Sequence, residues 1–192
     1  MSASIGGKKM DLQVVLEDES GGFDDLSYWL SKQEGPTSGP APTKFRSHGQ
    51  SHTGARAEVW FGHLTRPGCD DINVVCKLAE GKSGLSMLNM EAQLYATNLK
   101  NLQGTVVPRF YGFYVGTWKD LGGEDNLLGC ILLEDCGESI QHHGGKFADC
   151  RMTVKCAIVE ALMQIHDAGI MHNRFTEGHI VVSGRDAEET LS

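Results

Sequence analysis

The stretch Ala157-Ile158-Val159-Glu160-Ala161-Leu162-Met163-Gln164-Ile165-His166-Asp167-Ala168-Gly169-Ile170-Met171-His172-Asn173-Arg174-Phe175-Thr176-Glu177-Gly178-His179-Ile180-Val181-Val182 says most about this chain. Its first half has the composition of an apolar helix, predicted from about Asp149 to Ala168, and Gly169 stands where a helix end favours glycine. A polar loop follows, and Ile180-Val181-Val182 reads as a short β-branched strand.

Working outward, the chain alternates. Ala57 to Leu64 and Ile72 to Leu78 read as strands joined by the turn Arg66-Pro67-Gly68-Cys69-Asp70-Asp71. A helix is predicted over Leu85 to Leu99. Phe110 to Val115 and Cys130 to Glu134 are further strands, separated by the loop from Leu121 to Asn126. The order is strand, strand, helix, strand, strand, helix, strand. Residues 1–43 read as a disordered acidic tail and linker. Between Asp11 and Asp25 there are six acids and no Lys or Arg, and Gly35 to Pro42 is rich in Gly and Pro. Within the tail, Phe23, Leu26 and Leu30 share helical spacing, which leaves open a short amphipathic docking turn or a tail that contacts nothing.

Composition bounds the function. The chain has 192 residues and a formal net charge of −8, and no basic stripe points to nucleic acid. No apolar stretch approaches membrane-spanning length, and the N-terminus lacks the apolar core of a secretory signal. Cys69, Cys76, Cys130, Cys136, Cys150 and Cys156 form no Cys-x-x-Cys pair. Reduced thiols in the cytosol or nucleus are the expectation, with neither disulfides nor a zinc site.

Two charged residues stand out. Strand alternation puts Val74, Cys76 and Leu78 on one face and Val75 with Lys77 on the other. Glu91 lies on its helix between Met87 and Leu88 on one turn and Leu94 and Tyr95 on the next. A carboxylate in such a stripe is costly to bury unless a cation meets it, and Lys77 is the nearest upstream candidate.

This arrangement resembles the protein-kinase superfamily. There, a helix ends in Leu-His-x-x-Gly-Ile and runs into His-Arg-Asp-Leu-x-x-x-x-Asn. Here His172 keeps register, while Arg174 takes the place of the catalytic Asp and His179 that of the metal-binding Asn. The resemblance covers about Lys44 to Val182. It implies an α+β, protein-kinase-like fold: an antiparallel-sheet small lobe with one main helix (residues 44–136), then the start of a large lobe (residues 137–192). The later part of that fold is missing. It also implies that Lys77 and Glu91 form the pair that holds nucleotide phosphates, and that Gly54 is the remaining glycine of a phosphate-covering loop. Val59, Val75 and Val181 would sandwich a base, and backbone groups of Glu134 and Cys136 would meet its edge.

The same resemblance implies impaired chemistry. A guanidinium at 174 accepts no proton and repels a divalent cation, and a neutral imidazole at 179 is a poor magnesium ligand. ATP is therefore expected weakly at most, magnesium is in doubt, and no residue is assigned a catalytic role. The later helices that would cover helix 150–168 in such a fold are absent, so its apolar surface is expected to face solvent. The expected function is a catalytically inactive, pseudokinase-like binding or scaffold module. It would hide that surface against a protein partner, a second copy or the Phe23 to Leu30 segment. An active phosphotransferase and a non-functional remnant are the alternatives.

Overall fold

A computed structural model describes residues 11–16, 26–35, 40–53, 57–119, 122–142, 144–172 and 175–181, with only the backbone of residues 11, 26 and 50–53. The chain divides into two compact units: Met1–Ala96 with Phe110–Glu134, and Thr97–Arg109 with Asp135–Ser192.

Seven strands build the first unit: β1 (Asp11–Leu16), β2 (Leu26–Glu34), β3 (Lys44–Thr53), β4 (Glu58–Thr65), β5 (Ile72–Glu80), β6 (Phe110–Lys119) and β7 (Asp125–Glu134). They close into a barrel in the order β1-β2-β6-β7-β5-β4-β3. Alternation explains the interior. Leu12, Val14 and Leu16 of β1, Leu30 of β2, Phe45 of β3 and Leu64 of β4 point inward with Val74, Cys76 and Leu78 of β5. Tyr114 of β6 and Leu128, Cys130 and Leu132 of β7 complete the packing. The β4–β5 turn is the one expected. Gly68 takes φ +73°, a conformation that glycine adopts without strain, and the Cys69 N–H donates to the Arg66 carbonyl at 3.1 Å.

Helix α1 (Gly81–Ala96) lies outside the barrel on β5, β6 and β7. Leu88 and Ala92 bury there against Ala79, Phe113 and Ile131. Gly129 permits the close approach, because a Cβ at that position would sit 2.7 Å from Leu85 Cδ1.

The expected kinase-like architecture is therefore corrected. Among the described residues the sheet is a closed seven-strand barrel and there are two α-helices; the sheet is mixed, because β1 runs parallel to β3 through Gln13↔Lys44, Val14↔Phe45 and Val15↔Arg46. The reason is the N-terminal segment read as a disordered tail. It supplies β1 and β2, and the whole of β1 pairs with Leu26–Ser31 of β2. β2 also pairs with β6 through Ser31↔Val115 and Lys32↔Tyr114. An open sheet would leave β3 and β6 with unpaired backbone groups, and closure removes both edges. The amphipathic turn expected around Leu26 and Leu30 is likewise a strand, and Phe23 lies outside the described residues.

The second unit is built around helix α2 (Met152–Asp167) with short 3₁₀ turns at Lys100–Leu102, Phe147–Asp149 and Glu177–His179. Its small core joins Ile140, Cys150 and Ile180, with Phe147, Val154 and Ile158 packed alongside. Of the last expected strand, the described residues show one bridge, Ser139↔Val181, and Val182 lies outside them. No helix among the described residues is long and apolar enough to cross a membrane.

Candidate interaction surface

The residues singled out from sequence separate between the two units. In the first, Lys77 leaves β5 on its outer face and its Nζ donates to Glu91 Oε2 on α1 at 2.7 Å. Glu91 follows the buried Leu88 by three residues, about one helical turn, so the apolar stripe that suggested a desolvated carboxylate does bring it down onto the sheet. Val59 stands opposite Lys77 in the β4–β5 register, and Val75 stands opposite Leu133 in the β5–β7 register. Both valines are half-buried. Glu134 ends β7 opposite Val74. Leu133 packs into the cluster beneath α1.

Cys136 and Val181 belong to the second unit. Cys136 is half-buried and Val181 exposed. Gly54 and Arg174 lie outside the described residues. His179 sits in the 3₁₀ turn with its Nδ1 3.0 Å from Thr176 Oγ1, and its ring meets His172 edge-on at 5.0 Å. Glu177 Oε1 accepts from the Phe147 backbone N–H at 3.4 Å. Its carboxyl is held below the ordinary glutamate range by its own backbone N–H first and that of Phe147 second. Glu177 thus ties the turn to the segment before α2. Among the described residues no group of three His, Cys, Asp or Glu is placed to hold a metal ion.

A groove of about 540 Å³ runs along α2 within the second unit. Val154, Ile158, Ala161, Leu162 and Ile165 form its helical wall. Thr105 and Val106 contribute from one loop and Phe175, His179, Ile180 and Val181 from another. Among the described residues no Asp, Glu, Lys or Arg lines it. α2 itself buries none of its residues, and Met152, Val159 and Met163 are 72%, 47% and 59% exposed. The helix is nonetheless well terminated. Gly169 takes φ +82° past its end, and Asn98 Nδ2 donates to the Ala168 carbonyl at 2.7 Å. The exposed apolar surface expected on this helix is thus present. Sequence reasoning missed the groove, because its far wall comes from the Thr105–Val106 turn, distant in sequence and without periodicity.

A second cavity, of about 330 Å³, opens at the barrel beside Tyr28, Glu58, Glu80 and Ser83. Burial pushes the Tyr28 phenol up, and the carboxylates of Glu80 and Glu58 push it further. It is smaller and more polar than the α2 groove, and the groove offers the clearer basis for recognition. No protein-family model matches this chain, and no curated protein matches it.

Proposed function

We propose that the chain is a non-catalytic protein-interaction module that receives an apolar helical segment of a partner protein in the α2 groove. The observation that carries this reading is that α2, sixteen residues long, buries none of them while ten of its side chains are apolar. Water is a poor neighbour for such a helix, and exposed apolar surface of this kind marks interfaces. The described lining is made of apolar side chains with Thr105, Thr153 and His179, which favours an apolar occupant, since a charged one would lose its hydration against such walls. A helix laid in a groove uses anchors at i, i+3, i+4 and i+7, and α2 is about 24 Å long, enough to carry such a set. Six free thiols fit a reducing compartment, the cytosol or nucleus.

The test is selection of displayed peptides on the full chain. Enriched peptides should carry apolar residues at helical spacing. Ala161→Arg, which places a charge in the groove, should weaken their binding at least tenfold and leave the thermal unfolding temperature unchanged. Failure to enrich any peptide, or equal binding to Ala161→Arg, would count against the proposal.

A further inference from the structure

The side of α2 away from the groove has its own pattern. Met152, Cys156, Val159 and Met163 follow one another at steps of four, three and four residues. That alternation is the d-a-d-a seam of a coiled coil, and all four side chains are exposed. The groove-lining Val154, Ile158, Ala161 and Ile165 occupy the opposite side of the same helix.

The flanks of the seam differ in charge. Lys155 occupies the g position on one flank, and Glu160 and Asp167 occupy e positions on the other. Lys155 donates to the Ala148 carbonyl at 2.6 Å, and its ammonium has two further N–H groups to offer. In a parallel pair of helices each g flank faces its partner's e flank, so Lys155 of each copy meets Glu160 of the other. An antiparallel pair sets each flank against its own counterpart. Lys155 then meets no acid, and the two Glu160 side chains share one side. The pattern is complementary to itself in one orientation only.

We infer that a second copy of this chain docks on the outer face of α2, in parallel, through Met152, Cys156, Val159 and Met163. This surface is distinct from the groove, so the inference stands whether or not the groove takes a peptide. The seam spans about 18 Å of helix, short for a coiled coil, and the association is correspondingly weak, with a dissociation constant in the micromolar range.

Cys156 makes the orientation measurable, because a parallel seam stacks Cys156 on Cys156. The full chain carrying Cys69→Ser is treated with diamide. Two thiols then lose two protons and two electrons to the azo compound, which becomes the hydrazine, and a sulfur–sulfur bond forms. The expected product is a covalent dimer that disappears in Cys156→Ser and returns in Cys156→Ser/Val159→Cys. Sedimentation equilibrium should show at least tenfold weaker self-association for Lys155→Glu and for Glu160→Lys, recovered when the two variants are mixed. Glu160 is exposed, whereas Lys155→Glu gives up the bond to Ala148, and unfolding curves check that both variants keep the fold. A monomer at every concentration would overturn the inference. So would preferential cross-linking of Cys156 to Val159→Cys on the other copy, which is the antiparallel layer. Either failure leaves the peptide groove standing, since its readout is the loss of peptide in Ala161→Arg.

Discussion

Lys77 Nζ on β5 lies 2.7 Å from Glu91 Oε2 on α1, with 29% and 27% of the two side chains exposed. The pair ties the outer helix to the barrel wall beside the cluster of Leu88, Ala92 and Ile131. Partial solvent access places its worth near that of a surface pair. Lys77→Met and Glu91→Gln should each cost about 1 kcal/mol in urea unfolding, with a coupling of similar size in the double variant. Additive effects would show that the two charges do not interact in solution.

Leu30 tests barrel closure. It is 1% exposed on β2, within the segment that composition alone assigns to a tail. Leu30→Ala should lower stability by about 3 kcal/mol, the usual cost of emptying a core leucine site. A change below about 0.5 kcal/mol, the scale of a surface substitution, would show that this strand is not part of the core.

How far the sequence could be read follows from these elements. β4 to β7, α1 and α2 were legible because their periodicity is strong and local. The Lys77–Glu91 pair was legible because a carboxylate in an apolar stripe demands a cation. Closure was not, since Glu17, Asp18, Glu19, Asp24 and Asp25 dominate the composition around β1 and mask the alternation of Leu12, Val14 and Leu16. That short alternation was the available signal. Pairing β1 with β3 in parallel is a long-range choice that no local pattern records. The motif likeness from Leu162 to His172 describes a helix and its cap correctly, and a helix with a cap is compatible with many folds.

Tyr114 is 1% exposed inside the barrel, and its hydroxyl has no hydrogen-bond partner among the described residues. Tyr114→Phe removes an unsatisfied polar group and should stabilise the chain by about 1 kcal/mol. Burial first, and the Cys130 thiol second, push the phenol well above its ordinary value of 10.0. A value raised on folding means that the neutral phenol's contribution is complete below pH 10.0 and falls away as pH rises beyond it. Stability measured from pH 9 to 11 should therefore decline less in Tyr114→Phe than in the parent. Equal declines would place the alkaline sensitivity elsewhere.

The thiols offer a further check. Cys76 and Cys130 are buried on adjacent strands with their sulfurs 3.1 Å apart, and burial pushes the Cys76 thiol well up. Cys69 and Cys156 are exposed. Alkylation at pH 8, followed by peptide mapping, should label the exposed pair within minutes and Cys76 and Cys130 only as fast as the barrel opens. Rapid labelling of Cys76 in the native protein would contradict a closed barrel.

The central functional claim is that the α2 groove is a docking surface, and methyl NMR addresses it most directly. A selected apolar helical peptide is titrated into the full chain while the isoleucine methyl signals are followed. The account predicts saturable shifts at Ile158, Ile165 and Ile180, which line the groove, and none at Ile131 beneath α1. Shifts confined to Ile131, or no saturable shift at the groove isoleucines, would contradict it.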